Sequence, residues 1–194
     1  MTTERFDETY YGRFYGSSPV HTRNRIAHLA NGVSGMFGWW GLHLQTVLDV
    51  GAGPGYWRDW FAEYRPRVMY RSVDVSEYAC VEYGHEQRDI STWTPGAPTD
   101  LVVCQGVLQY LDNAGASAAI ANLAAGTRHV LYLEVPTLYD RDHVVDQDFT
   151  DLDCHWRSGD WYRRRLQPHF VQVGAGLWAR RDGAVPFYEL ERGR

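Results

Sequence analysis

A glycine-rich segment, residues 47–57 (VLDVGAGPGYW), constrains the fold of this chain more than any other stretch. An apolar run that includes an acid leads into three glycines that alternate with other residues, Gly51, Gly53 and Gly55. Large aromatic residues then recur at helical spacing, at positions 57, 60, 61 and 64. The change of period across the glycines predicts a strand, a tight turn and a helix.

The glycine turn also predicts a ligand site. It presents backbone N–H groups, and the start of the following helix carries a partial positive charge. Because glycine has no Cβ, a carboxylate or a ribose can approach the backbone closely. A dinucleotide fingerprint, Gly-x-Gly-x-x-Gly, would need its third glycine at position 56, where the chain has Tyr56. The spacing therefore disfavours a nicotinamide or flavin dinucleotide.

The glycine motif resembles the first motif of the class I S-adenosylmethionine-dependent methyltransferases, small bacterial members among them and distantly the NodS-like ones. The next apolar run, 67–73, ends at Asp74, close to the spacing of about 20 residues at which an acid meets a ribose in such units. The resemblance implies that Asp74, with Val75 beside it, binds the ribose hydroxyls. The alternative is that Asp74 only caps the helix beginning near Ser76.

Two later segments extend the resemblance, which covers residues 45–136 most firmly. Asp89 and Ile90 lie where these enzymes contact the adenine, although a surface turn is the competing interpretation for Asp89. An acid-led apolar strand, 100–104, then precedes Gln105 and Gly106. The resemblance implies that these last two residues touch the methionyl end of the cofactor and line the methyl-transfer site.

The alternation of strand-like and helical segments predicts an α/β fold, a Rossmann-like, doubly wound and mostly parallel sheet with helices on both faces. Helices are expected from about Ser76 to Tyr83, with Gly84 as C-cap, and from Asn113 to Ala125, with Gly126 as C-cap. A further buried strand is expected over residues 129–134.

Both ends of the chain add elements to this core. An N-cap and a proline at Ser17-Ser18-Pro19, followed by an apolar stripe that ends at Gly38, predict a helix before the first strand. Near the other end, strand-like runs at 170–179 and 187–190 flank Arg181-Asp182-Gly183. This pattern predicts a C-terminal antiparallel hairpin, with which class I methyltransferases end.

Length and composition predict one domain over residues 1–194. Its expected parts are an N-terminal helical cover (1–44), a cofactor-binding core (45–136) and a substrate-side segment with the terminal hairpin (137–194). With 44% hydrophobic residues the chain can bury a sizeable core, and it has no run of about 18 apolar residues that would span a membrane. The N-terminus lacks the features of a signal peptide, and Cys80, Cys104 and Cys154 have no disulfide-like or metal-like spacing. A cytoplasmic location is therefore expected.

The charged residues exclude several chemistries. All 19 basic residues are arginine, so Schiff-base catalysis and a P-loop lysine are excluded. The net charge is −5, without the basic face that nucleic-acid binding requires. A small molecule is therefore the expected substrate, with no nucleic-acid or membrane partner.

Two flanking segments are candidates for covering the cofactor and the substrate. The first is the aromatic segment 10–15 with Arg23, because tyrosine ring faces suit a sulfonium cation and an arginine suits a carboxylate. Tyr15 and Arg23 are the residues expected to contact the cofactor. The alternative is that the aromatic side chains only pack in the core. The second is 137–165, rich in aspartate, histidine and arginine. Its acids could bind a divalent metal, but solvated loop acids are commoner, so no metal is expected.

The resemblance implies direct in-line transfer of a methyl group from S-adenosylmethionine (SAM) to an O, N or S atom, releasing S-adenosylhomocysteine (SAH). His143 and His155 are the candidate general bases, and Arg157 a candidate contact for a flat or anionic acceptor. The alternatives are a protein or RNA methyltransferase and a SAM-binding protein that does not methylate. The sequence leaves the acceptor and the oligomeric state open.

Overall fold

Seven strands form one sheet in a computed structural model that describes residues 5–16 and 21–189. The strand order is β3-β2-β1-β4-β5-β7-β6. The first five strands are parallel, and β7 pairs antiparallel with both β5 and β6. The strands are β1 (Thr46–Val50), β2 (Met69–Asp74), β3 (Glu86–Gln87), β4 (Thr99–Gln105), β5 (Thr127–Glu134), β6 (Phe170–Gly174) and β7 (Leu177–Arg180). The predicted fold class is confirmed.

The helices cover both faces of the sheet. They are α1 (Glu8–Tyr15), α2 (Arg23–Trp39), α3 (Tyr56–Tyr64), α4 (Glu77–Tyr83), α5 (Asn113–Gly126), α6 (Leu138–His143) and α7 (Gly159–Leu166), and a 3-10 turn lies at Leu108–Tyr110. Alternate strand residues point to opposite faces, so the core has two halves. Phe37 on α2 and Phe61 on α3 pack on the side of Val47 and Val103. Ile120 on α5 and Leu166 on α7 pack on the side of Leu48 and Val102.

The first strand and the turn after it follow the sequence prediction. The strand β1 is buried from Val47 to Val50, and α3 begins at Tyr56 after a left-handed Gly55. Because β1, β2, β4 and β5 are parallel, their carboxyl ends meet at one edge of the sheet, where ligands bind in folds of this type. The glycine turn, Asp74, Gln105 and Glu134 therefore lie at the same edge.

Two details in the C-terminal half of the sequence prediction need correction. The predicted hairpin around Arg181 and Asp182 lies instead within 170–180, where a tight turn at Gly174–Gly176 joins β6 to β7. Arg181 and Asp182 form a turn after β7, and residues 187–189 are not a strand. Gly126 is the last helical residue of α5 rather than its cap, and a Cβ there would press on Pro95.

The helix before β1 begins later than the sequence suggests. It starts at Arg23, and the side chain of Thr22 caps it by accepting from the backbone N–H of Arg25 at 3.2 Å. The predicted cap at 17–19 lies outside the described residues. A separate short helix, α1, precedes it and carries the aromatic segment. Within the described ranges, no helix is both long and apolar enough to cross a membrane.

Candidate active site

The surroundings of the three glycines of the turn differ, so each position requires glycine for a different reason. All three have positive φ, +69° at Gly51, +53° at Gly53 and +76° at Gly55. A Cβ on Gly51 would overlap the side chain of Val107, and one on Gly55 would lie 2.7 Å from the guanidinium of Arg58. A Cβ on Gly53 would find no atom nearer than the hydroxyl of Tyr15, at 3.8 Å. Only at Gly53 does the protein's own packing leave room, so this is where a ligand can approach the backbone.

The peptide groups of Gly53 are held on both sides. Its N–H donates to Asp74 Oδ2 at 2.9 Å, and its carbonyl lies 2.9 Å from Nε2 of the buried His85. Because a carbonyl can only accept, Nε2 carries the hydrogen, and Nδ1 accepts from the Ser72 hydroxyl at 2.8 Å. Burial lowers the pKa of His85, which favours this neutral form. The loop is therefore fixed before any ligand arrives.

Asp74 has the properties expected of a ribose ligand. It is buried at the end of β2, and its Oδ1 accepts from the N–H of Ser76 at 2.9 Å. The alternative capping role belongs instead to Ser76, whose hydroxyl accepts from the N–H of Ala79 at 3.0 Å. Burial raises the pKa of Asp74, and hydrogen bonds from Ser76 and Gly53 counteract that rise. Each carboxylate oxygen still has a lone pair with which to accept from a hydroxyl.

Asp89 and Ile90 follow β3 in a tight turn. Asp89 Oδ1 accepts from both the N–H and the hydroxyl of Ser91, at 2.8 and 2.7 Å, which is the turn role named as the alternative. Ile90 is buried in the core beneath α5, and its carbonyl accepts from Asn122 at 2.8 Å. The structure thus shows the turn, and contact of these two residues with an adenine stays a prediction.

A small cavity of about 60 Å³ opens between the glycine turn and the end of β4. Gln105 and Gly106 line it together with the buried Asp49. Gln105 accepts from the Trp57 indole N–H at 2.9 Å and donates to Glu134 Oε2 at 3.2 Å, so its side chain is fixed. Burial raises the pKa of Asp49 to about 7, although the hydrogen bond that Asp49 accepts from the Tyr70 hydroxyl at 2.6 Å acts to lower the pKa.

A much larger cavity, of about 850 Å³, lies next to it at the ends of β4 and β5. Its walls come from α1, the start of α2, the turn after β4, the end of β5 and the segment 136–151. Tyr15, His21 and Gly106 line both cavities, so the two are neighbours. Both flanking segments that the sequence marks as covers contribute to these walls, through described residues within 10–15, at 21–22 and within 140–151.

The helix α1 lies over the carboxyl edge of the sheet. The Phe6 carbonyl accepts from the Ser76 hydroxyl at 2.5 Å, and the Tyr10 and Tyr110 hydroxyls are hydrogen-bonded at 2.8 Å. Tyr15 thereby comes to lie above Gly53. Arg23 does not reach either cavity, because its exposed guanidinium binds Asp59 at 2.9 Å. The structure supports Tyr15, and not Arg23, as a neighbour of the ligand site.

His143 and His155 are not brought to the cavities. His143 is exposed, stacks on Tyr139 at 4.2 Å between ring centroids and has Nδ1 2.9 Å from the Tyr139 carbonyl. His155 is exposed too, and neither residue is among the lining of the large cavity. A general-base role for either is therefore unsupported by the geometry, because α6 and the loop before α7 turn both side chains outward.

Arg157 has a structural role rather than the predicted contact with an acceptor. It is buried beneath the turn after β4, where its guanidinium donates to the carbonyls of Leu108 and Leu111 and to Asn113 Oδ1. The ring of Trp161 lies 4.7 Å from its guanidinium carbon. These contacts fix the segment that follows α6 onto the sheet, and they keep the charge away from the cavity.

A histidine that the sequence analysis passed over does line both cavities. His21 Nε2 lies 2.8 Å from Glu134 Oε1, and the other oxygen of Glu134 accepts from the Tyr132 hydroxyl at 2.9 Å. Burial favours a raised pKa for Glu134, but the hydrogen bonds from His21, Tyr132 and Gln105 bring it below its ordinary value. Glu134 was detectable as an acid that ends a parallel strand; His21 carries no signal in the sequence.

The acids of the segment 137–165 are the candidates for metal ligands. Within the described ranges no group of three or more histidine, cysteine, aspartate or glutamate side chains is arranged to hold a metal ion. Asp140 shows why: its Oδ2 accepts from both the N–H and the hydroxyl of Thr137, at 2.8 Å each, in a capping box of α6.

Comparison with known proteins identifies the family. A family model described as a methyltransferase domain matches residues 18–173. The chain belongs to this methyltransferase family. The predicted resemblance to class I SAM-dependent methyltransferases is thereby confirmed.

Individual relatives are more distant. An uncharacterised methyltransferase from Mycobacteroides abscessus is 34% identical over 85 residues, 44% of this chain and 31% of the relative. A trans-aconitate 2-methyltransferase from Azoarcus sp. is 30% identical over 104 residues, 49% of this chain and 40% of the relative. The matches thus span less than half of either relative. The crystal structure of magnesium protoporphyrin IX methyltransferase from Synechocystis PCC 6803 with bound SAH shares the fold, with a TM-score of 0.62 at 19% identity, covering 92% of this chain and 94% of that one.

Proposed function

We propose that this methyltransferase transfers the methyl group of SAM to a small molecule that fills the large cavity. The observation that carries the proposal is that the cavity of about 850 Å³ adjoins the glycine turn through Tyr15, His21 and Gly106. A cofactor held at the turn would thus face a space large enough for a small organic acceptor. Described residues of the segments 1–44 and 137–194 would supply most of the walls of this space, and 45–136 would form the cofactor-binding core and its floor.

The residues that would hold SAM fit its chemistry. The turn Gly51–Gly55 offers the open approach at Gly53, although its own N–H groups are donated within the protein, and Asp74 offers carboxylate lone pairs for two hydroxyls. Gln105 and Gly106 border the methionyl end, with Tyr15 above. Val75, Asp89 and Ile90 are assigned to the ribose and adenine side by the resemblance. When bound, SAM supplies an electrophilic methyl group on a sulfonium sulfur.

The pair formed by His21 and Glu134 is suited to accept a proton from the acceptor. Because Glu134 is held ionised, the hydrogen of the His21 imidazole resides on Nε2, next to the carboxylate. Nδ1 is then the basic nitrogen. A hydroxyl or thiol group of the acceptor would lose its proton to that atom as its lone pair attacks the methyl group in line, whereas an ammonium group would lose its proton before its lone pair can attack. The methyl–sulfur bond breaks as the new bond forms, its electron pair stays on the sulfur, and SAH leaves. Positioning of the two reactants within the cavity would provide most of the rate enhancement.

A large polymer is a poorer fit for the same site. Carboxylates outnumber basic side chains in the cavity lining, and the chain carries a net charge of −5. Both properties oppose an RNA substrate, whose binding depends on neutralising phosphates. A protein methyltransferase would need an extended groove, whereas the described walls rise around the ends of β4 and β5.

The experiment is a methyl-transfer assay on fractionated acceptors. The protein is incubated with SAM carrying a radiolabelled methyl group and with a bacterial extract separated by dialysis into diffusible molecules, proteins and RNA. We expect label in the diffusible fraction alone, and loss of that label in the variant Glu134→Gln. Label in protein or RNA would replace the small-molecule assignment, and SAH binding without labelling of any fraction would indicate a binding protein.

A further inference from the structure

The lining of the large cavity has an excess of negative charge. Its charged residues are Glu134, Asp140, Asp146 and Asp151 against His21 and Arg25. Asp151 is neutralised locally by Arg5 at 2.8 Å, and Glu134 already accepts hydrogen bonds from His21 and Tyr132. The other two carboxylates decide the electrostatic character of the wall formed by α6 and the loop after it.

Asp140 and Asp146 have no arginine or histidine within 4 Å of their carboxylates in the part of the chain that the structure describes. Their hydrogen bonds come from neutral donors: Thr137 for Asp140, and the N–H of Asp148 for Asp146 at 3.0 Å. A neutral donor brings no positive charge next to a carboxylate. Arg25 stands on α2, where it already has an interaction of its own.

A second, independent feature points to a ligand with hydrogen-bond donors. Gln109 lines the cavity with 6% of its surface exposed, and among the described residues its side-chain Oε1 has no hydrogen-bond partner. Its backbone carbonyl is occupied by the N–H of His155 at 2.8 Å, so the residue is held in place. A buried acceptor without a donor costs stability, unless a bound N–H or O–H group supplies one.

Aromatic side chains complete the surroundings. Tyr10, Phe14, Tyr110 and Phe149 also line the cavity. Their ring faces carry negative electrostatic potential and attract cations, as the carboxylates do.

We propose that the acceptor is an amine-bearing small molecule, cationic in solution, whose N–H donates to Gln109 Oε1 and whose charge is balanced by Asp140 and Asp146. The inference rests on the proposed function and narrows its substrate class. It replaces the expectation that Arg157 contacts a flat or anionic acceptor, because Arg157 is buried elsewhere and is absent from the lining.

The test compares three probes of similar shape and different charge on the protein loaded with SAH: phenethylamine, phenethyl alcohol and 3-phenylpropionate. Binding is followed by ligand-observed NMR titration. We expect the amine to bind about fivefold more tightly than the alcohol, the size of one partly exposed ion pair, and the carboxylate to bind least. Tighter binding of the carboxylate, equal binding of amine and alcohol, or binding of none of the three would overturn the proposal.

Variants separate the two features of the site. Asp146→Asn should lower the ratio of amine to alcohol affinity, with Asp140 accounting for what remains, whereas Asp160→Asn, an exposed acid of α7 outside the lining, should leave the ratio unchanged. Gln109→Leu should weaken the amine and the alcohol alike, because both donate a hydrogen bond. An unchanged ratio in Asp146→Asn would contradict the charge argument. A calorimetric titration with SAH comes first, since absence of SAH binding would refute the proposed function and not the substrate class.

Discussion

Replacing Gly53 by alanine tests whether the glycine turn receives a ligand. A methyl group at this position would meet no protein atom closer than 3.8 Å, so the folded protein has room for it. The cost to folding is that of a side chain at φ +53°, about 1–2 kcal/mol. A bound cofactor, by contrast, would have to share the space with the methyl group. Overpacking of that kind costs about 1–3 kcal/mol, a loss of about 5- to 150-fold in affinity for SAH.

A matched control is available at Gly41. Its φ is +68°, and a Cβ there would meet nothing within 4 Å, so Gly41→Ala carries similar backbone strain outside the site. Urea unfolding should show similar destabilisation in both variants, and calorimetry should show weakened SAH binding in Gly53→Ala alone. If Gly53→Ala is folded and binds SAH as the unmodified protein does, the turn is not where the cofactor lies.

Three further predictions concern other buried groups. Asp74→Ala should weaken SAH binding by about 2–3 kcal/mol through the loss of two hydroxyl contacts, and unchanged calorimetric affinity would remove Asp74 from the ribose site. Because the pKa of Asp49 is raised to about 7, its neutral form favours the folded state, and that contribution is lost as the pH rises from 3.8 through about 7. The free energy of unfolding in urea should therefore fall by about 2–3 kcal/mol more between pH 5 and pH 8 in the unmodified protein than in Asp49→Asn. If the two proteins instead lose the same stability over this range, Asp49 is already ionised at pH 5. Arg157→Ala should lower the free energy of unfolding by about 3 kcal/mol, whereas the folded fraction of this variant should bind SAH normally. If the variant keeps its full stability but loses methyl transfer, Arg157 contacts the substrate after all.

The geometry of the glycine turn and the place of Asp74 were predictable because their signals are local. The glycines at 51, 53 and 55 specify a turn through their backbone conformation, and an acid at the end of a parallel strand must lie at the same edge. Neither inference needs knowledge of distant contacts. The sheet likewise follows from the alternation of apolar strands with helices.

The acceptor side was not predictable to the same degree. His21 reaches Glu134 across more than half of the chain, and nothing in the residues around either one encodes that pairing. His155 and Arg157 are near neighbours in the sequence, yet one is exposed and the other is buried. The hairpin was misplaced for a related reason: the turn signal at Arg181-Asp182-Gly183 competes with the tighter turn at Gly174–Gly176, and pairing of β7 with β5 decides between them.

A crystal structure of the protein with SAH would test the central claim most directly. The account predicts the homocysteine end against Gly51–Gly55, the ribose hydroxyls on Asp74, and the sulfur facing the cavity lined by His21, Gln109 and Glu134. SAH bound away from the glycine turn, or bound there with its sulfur turned from that cavity, would contradict it.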